Sequence, residues 1–313
     1  MKKNPENNKN SDSGSTSTTP TSVEKIDKIY LRQSYCGNNY PWGPPKYKDK
    51  EQDSAMVFVC KEGFAVGFNK DLKIPVWATE VVQARNLLEK ITSRTDNFSA
   101  DPVIPSIIQA NNADYGKSGF DRGHLVPAEN VRYSQQTMIE SFYFTNIVPQ
   151  VGPNMNRGIW LDIENWVRAQ AKQREFLYTV SGPMFIGKMN KLGSGVAIPT
   201  HLYKIVIDPQ LNEAISFIIP NVQIITQETR ELSTGTPQYP QTLAKNAYNC
   251  ADKGKTFCSM LDFTVPIVEV ERLTGLRFIS DTLESNEVRY KVSAEFFVNR
   301  RKNGVSSYGY SGR

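Results

Sequence analysis

The segment Asp121-Arg122-Gly123-His124 packs a carboxylate, a guanidinium and an imidazole into four residues beside a glycine. A neutral imidazole takes a proton from water at neutral pH, because its ordinary pKa lies near 6.5. A guanidinium offers a fixed fork of donors that matches phosphate oxygens. Further polar residues follow: Asn146 in FTNIVPQ, Asn156 in NMNRGIW, and Glu164 eight residues beyond Asn156. From Asn156 the apolar residues Ile159, Trp160, Ile163 and Val167 recur at helical spacing. Steps of four drift by about 40° each, so Asn156, Trp160 and Glu164 are expected on one broad helix face. An Asn and a Glu beside a Trp suit a helix that lines a site better than one that only packs. The plain alternative is a surface loop with one satisfied histidine.

Composition narrows the chemistry. The chain has 313 residues, 39% hydrophobic and 11% aromatic, which is enough for a sizeable core and excludes wholesale disorder. No apolar run approaches the length of a membrane-spanning helix, so no membrane span is expected. The net charge of +5 mildly favours a polyanionic partner, though many ordinary enzymes are as basic. His124 and His201 are the only two histidines, which argues against a multi-histidine metal site. His201 stands before a strand-like run and reads as structural or surface. Trp160 reads as packing rather than base stacking.

The elements that must position these residues follow from pattern. MVFVC (56–60), FAVGF (64–68) and IPVWATEVV (74–82) are β-branched and aromatic runs separated by turn chemistry, an antiparallel meander. A short helix is expected over 84–91, an irregular loop over 94–105, a helical turn over 135–141 and a strand over 142–150. Further strands are expected over 176–185, 201–208 and 214–221, and a short helix carries Ile267, Val270 and Leu273. The class is α+β with an antiparallel sheet core. Residues 1–22 form a polar leader that cannot bury a core, 23–285 the folded domain, and 286–313 a C-terminal extension with a basic Gly/Ser/Tyr tail. The charges of Arg300–Lys302 are expected to be solvated in that tail.

Cys36, Cys60, Cys250 and Cys258 show no CxxC spacing. Two disulfides, Cys250–Cys258 and Cys36–Cys60, fit an oxidising compartment, and four buried thiols are the alternative. With the polar leader, this gives an expectation of a secreted, periplasmic or cell-surface protein.

DRGHLVPAEN, FTNIVPQ and NRGIWLDIE, in this order and spacing, resemble the DNA/RNA non-specific endonucleases of the ββα-metal (His-Me finger) superfamily. RTDNFSADP resembles that family's upstream arginine loop, and the likeness extends over about residues 40–278. The resemblance implies a ββα-metal active-site motif and a metal-dependent, sugar-non-specific endonuclease. It implies His124 as general base, Asn156 as metal ligand, and Arg94 and Arg122 as transition-state arginines. It further implies Glu164 as the carboxylate holding water on the metal, Asn146 as a site-lining asparagine, and Asp121 as a residue that positions the histidine through the backbone. Ser99 departs from the pattern, since many relatives carry an arginine there. The implied cofactor is Mg²⁺, with Mn²⁺ as an alternative, because a hard ion that keeps its waters needs few protein ligands. The implied partners are DNA and RNA, and an inhibitor or immunity protein. Two other readings remain open at this point: a non-catalytic nucleic-acid-binding module on the same fold, and a phosphodiesterase for a small substrate.

Overall fold

The computed structural model describes residues 43–211, 213–225 and 258–278, together with Met1, Cys36, Asn39, Tyr40 and the short strands at 248–249 and 291–292. The expected leader, apart from Met1, and the expected basic tail lie outside the described residues, as does Cys250.

In chain order the strands are β1 (Lys46–Tyr47), β2 (Met56–Cys60), β3 (Phe64–Asn69), β4 (Ile74–Gln83), β5 (Phe120–His124), β6 (Ile147–Val151), β7 (Phe176–Met184) and β8 (Asn190–Leu192). They continue as β9 (Val196–Ile198), β10 (His201–Asp208), β11 (Glu213–Pro220), β12 (Ile224–Ile225), β13 (Tyr248–Asn249), β14 (Thr264–Val265), β15 (Leu276–Arg277) and β16 (Lys291–Val292). The α-helices are α1 (Lys50–Ser54), α2 (Ala84–Leu88), α3 (Asn112–Tyr115), α4 (Gln135–Ser141), α5 (Leu161–Arg174) and α6 (Ile267–Thr274). The main sheet has eight strands in the order β14-β11-β10-β7-β4-β3-β2, with β16 beside β11. Only the β11–β16 pair in it is parallel. The mixed fold with an antiparallel sheet core is the one the sequence implies.

The sheet separates two cores. On one face α5 packs Ile163, Val167 and Ala171, spaced by four, against a cluster that includes Val66, Phe68 and Val206. On the other face Trp77, Tyr203 and Ile205 pack with Ile267 and Val270 of α6. At its end α5 is pinned by Arg174, whose buried Nη1 donates to Asp208 at 2.7 Å and to Glu213 at 2.9 Å. Cys36 is disulfide-bonded to Cys60, with Cα atoms 5.8 Å apart, which ties it to the end of β2. Cys258 is disulfide-bonded as well.

Three elements differ from expectation. α2 stops at Leu88 because only Leu87 of its apolar residues finds a core, while Leu88 and Ile91 stay exposed. The run 142–150 is not one strand: residues 144–146 form a 3-10 turn and β6 begins at Ile147. The helix expected from Asn156 is two pieces, a π-helical stretch from Gly152 to Trp160 and then α5.

Candidate active site

β5 and β6 form an antiparallel hairpin in which His124 faces Ile147 and Asp121 faces Gln150. Gly123 is required here, because a Cβ at that position would lie 2.2 Å from Cδ of the Gln150 side chain. The long connection after His124 is closed by Asn146. Its Oδ1 accepts from the Val126 amide at 3.0 Å, and its Nδ2 donates to the carbonyls of Val126 and Ser141 at 2.9 Å each. Asn146 is fully buried and does not line the cleft, contrary to the resemblance; it fixes the backbone that follows His124.

His124 lies between two aromatic rings, 4.8 Å from Phe142 and 5.4 Å from Phe98. It is 9% exposed, and its Nε2 is buried with no hydrogen-bond partner among the described residues. Burial, helped by the Arg94 guanidinium, depresses its pKa to about 3. The imidazole is therefore neutral across the physiological range, and a weaker base than a free histidine.

The same rings carry the two arginines. Arg94 lies 5.0 Å over Phe142 and pairs with Asp96 at 2.7 Å. Arg122 lies 4.4 Å over Phe98 and donates to Asn112 at 2.6 Å. The loop that bears Arg94 and Phe98 is held by Ser99, whose amide and carbonyl bond to Phe142 and Phe144 at 3.3 and 2.9 Å. A buried Lys61–Asp101 pair at 2.8 Å, with Thr145 donating to Asp101 at 2.6 Å, anchors its far end.

Asn156 comes from the π-helical stretch. Its Nδ2 donates to Asp121 Oδ2 at 2.9 Å. The carboxylate of Asp121 also takes Arg157, with Nε 3.2 Å from Oδ2. Asp121 thus acts on its neighbours through its side chain, where the sequence suggested a backbone role toward the histidine. Arg94, Phe98, Arg122, Asp121, Asn156 and Arg157 line an open cleft of about 370 Å³. A larger hollow, about 850 Å³ and lined by Tyr133, Phe176 and Tyr178 among others, shares no lining residue with it.

Glu164 lies in the first turn of α5. Neither Glu164 nor His124 is among the cleft-lining residues; His124 adjoins the cleft through Phe98, which lines it. Burial raises its pKa to about 7, opposed by Lys204 and Arg168 and reinforced by Glu80. The strand register explains that setting. Glu80 pairs with Thr179 and Ser181 with Lys204, so all four side chains share one sheet face. Lys204 donates to Ser181 at 2.5 Å and lies 4.9 Å over the buried ring of Trp160. Asn130 donates to Glu80 at 3.0 Å and accepts from Arg168 at 3.0 Å. His201 lies apart, half-buried at the start of β10 with Nδ1 3.0 Å from Thr200 Oγ1.

Sequence reasoning missed Phe98, Phe142, Asn112 and Arg157. Arg157 had a signal, since it adjoins Asn156 in the NRG motif; the aromatic rings had none beyond their place in neighbouring runs.

Residues 45–285 match the model of the DNA/RNA non-specific endonuclease family. The chain is 30% identical to Nuclease C1 of Cunninghamella echinulata over 240 residues, 72% of this chain and 83% of the relative. It is 28% identical to the mitochondrial Nuclease 1 of Schizosaccharomyces pombe over 266 residues, 79% of this chain and 75% of the relative. A crystal structure of the EndoG/EndoGI complex shares the fold, with a TM-score of 0.59 and 24% identity, covering 83% of this chain and 92% of that one. The mitochondrial designation recurs among yeast and mammalian relatives, and it overturns the expectation of a secreted, periplasmic or cell-surface protein.

Proposed function

The chain belongs to the DNA/RNA non-specific endonuclease family and is a nuclease, and we propose that it hydrolyses DNA and RNA in the cleft beside His124. The observation that carries this reading is the buried, unpartnered Nε2 of a neutral His124 beside a cleft walled by arginines. We assign to His124 the removal of a proton from the attacking water, and to Arg94 and Arg122 the charge that develops on the phosphoryl oxygens.

The residues fit a divalent cation. An ionised carboxylate only accepts hydrogen bonds, so the amide of Asn156 must turn its NH₂ to Asp121 and its carbonyl oxygen away from it. That oxygen is the kind of ligand a hard cation takes. Among the described residues no group of three or more His, Cys, Asp or Glu side chains could hold a metal, and we assign the anchor to Asn156. A single Mg²⁺ or Mn²⁺ would neutralise phosphoryl charge and stabilise the departing oxygen. Glu164 we assign to a supporting role behind Asn156, and Asn146 to holding the chain after His124. The partners are DNA and RNA, and a protein inhibitor that closes the cleft is the form of control such an activity calls for. The folded domain we assign to residues 23–285, between a leader over 1–22 and an extension over 286–313.

Incubation with circular plasmid and total RNA, with and without EDTA, tests the reading. Cleavage of both, stopped by EDTA, is the expected result. Full activity in EDTA sinks the one-cation mechanism, and release from a small ester without plasmid cleavage sinks the polymeric substrate.

A further inference from the structure

Arg157 enters none of the roles assigned so far, yet it stands in the cleft wall next to Asn156. Its guanidinium reaches back to Asp121, with Nε 3.2 Å from Oδ2 and Nη2 3.5 Å from Oδ1. Those contacts are longer than the usual 2.7–2.9 Å of a charge-assisted pair, and the Arg157 side chain is 59% exposed. The buried Arg174–Asp208 pair, at 2.7 Å, is the opposite case. An exposed, stretched ion pair is screened and weakly held, so it exchanges partners readily.

Gly152 leaves room for this guanidinium. A Cβ at Gly152 would lie 2.5 Å from Arg157 Nη2 and 2.9 Å from both carboxylate oxygens of Asp121. A side chain at residue 152 would displace the ends of Arg157 and Asp121 from where they now meet. Charge points the same way. The cleft lining carries three arginines, Arg94, Arg122 and Arg157, against the one carboxylate of Asp121, a surplus suited to more than one phosphate. Arg94 and Arg122 stand at the His124 end, on the two rings that flank the imidazole. Arg157 is on the Asn156 side.

We propose that Arg157 is a substrate-binding residue that grips a phosphate flanking the one cleaved, and that Asp121 parks its guanidinium in the absence of nucleic acid. This rests on the nuclease reading above. The exchange is one ion pair for another: the guanidinium leaves Asp121 for a backbone phosphate, whose geometry its fork of donors matches. Asp121 keeps its bond from Asn156 throughout. Because a phosphate carries no base identity, Arg157 adds affinity without sequence preference.

The test is equilibrium binding of a fluorescent 20-base-pair duplex in EDTA across a salt series. It compares the wild type with Arg157→Ala, Arg157→Lys and, as a control on a distant helix, Arg272→Ala. Arg157→Ala is expected to weaken binding about five- to twentyfold at moderate salt and to shrink the log–log salt slope by about 0.9, the loss of one phosphate contact. Arg157→Lys keeps the slope and loses part of the affinity, and Arg272→Ala matches the wild type. In steady-state cleavage with Mg²⁺, Arg157→Ala raises KM while kcat stays within about twofold. Thermal melts check that each variant is folded, and the lysine variant keeps the test open if the alanine one is not. An Arg157→Ala protein that cleaves plasmid, binds as the wild type does and shows the same slope overturns the proposal while leaving the nuclease reading intact. A wild type that neither binds the duplex nor cleaves plasmid overturns both.

Discussion

Two charged regions meet at the π-helical stretch and are built on opposite terms. The cleft wall holds its charges in exposed pairs: Arg94 with Asp96, and Arg157 with Asp121, with arginine side chains 50% and 59% exposed. The seam between α5 and the sheet buries its charges: Lys204 is 1% and Glu80 2% exposed, and both are tied to neutral hydrogen-bond partners. Water screens the first region and not the second. Charges in the cleft can therefore change partners when a polyanion arrives, whereas those in the seam keep one arrangement and hold α5 against the sheet. The comparison separates residues that bind from residues that position, although both sets are arginines, lysines and carboxylates.

The largest effect should come from breaking the seam. Lys204→Ala removes the buried cation whose charge acts on both Glu80 and Glu164, and leaves those two carboxyl groups without it. A cost of about 3–5 kcal/mol is the scale for an uncompensated buried charge. Chemical denaturation reads it directly. Lys204→Met keeps most of the volume and should recover part of the loss if a protonated Glu80 can take its place. A Lys204→Ala protein as stable as the wild type would dissolve the contrast between the two regions.

In the cleft the corresponding changes should spare stability and remove rate. His124→Ala is expected to lower turnover by about a hundredfold or more, the scale of a lost general base. Asn156→Ala should lower it by a similar factor, with excess Mg²⁺ restoring part of the loss. Circular dichroism and a melting curve near those of the wild type are part of the expectation. Near-normal nuclease rates in either variant would move the chemistry elsewhere.

How much of this was legible in the sequence differs between the regions too. Strands β2, β3, β4 and β10 could be read almost to the residue, because β-branched runs bounded by turn residues determine them locally. DRGH and the NRG motif pointed to the cleft. The seam could not be read, because Glu80, Thr179, Ser181 and Lys204 meet only through the register of three strands. Asn146 and Glu164 sit in this blind spot: each lies in a recognisable motif, but what it touches is set by distant chain. The π-helical stretch was misread for another reason. Its apolar spacing fits a 3.6-residue period well enough that nothing in it announces i→i+5 bonding.

A pH titration sharpens the comparison with opposite signs. The folded pKa of His124, about 3, lies below its unfolded value. Between about pH 3 and 6.5 the unfolded chain binds the extra proton, so His124 makes stability rise with pH. The folded pKa of Glu164, about 7, lies above its unfolded value near 4.5. Between those values the folded protein holds the extra proton, so Glu164 makes stability fall as pH rises. From about pH 4.5 to 6.5 the two contributions oppose each other. Glu164→Gln removes one of them, and the stability of that variant should climb more steeply through this window. Each unopposed proton is worth at most about 1.4 kcal/mol per pH unit. Parallel curves for wild type and variant, measured by urea unfolding in EDTA, would place Glu164 in an ordinary solvated setting.

The smallest effect should come from the exposed pair itself. Asp96→Ala removes the partner of Arg94, 2.7 Å away, from a loop where both side chains are at least half exposed. Exposed pairs of this kind contribute about 0–1 kcal/mol, so the unfolding free energy should move by no more than about 0.5 kcal/mol. The loop should keep its shape, because Ser99 and the buried Lys61–Asp101 pair hold it independently of Asp96. Arg94 retains its place over the Phe142 ring, an attraction that does not need the carboxylate. What changes is competition: with Asp96 gone, a phosphate no longer has to displace a carboxylate to reach the guanidinium. Duplex binding in EDTA should therefore tighten slightly, by about two- to threefold at low salt, and the gain should fade as salt screens both partners alike. Weaker binding, or a stability loss comparable to that of Lys204→Ala, would mean that the Arg94–Asp96 pair is a structural fixture like the seam and not an exchangeable contact of the cleft.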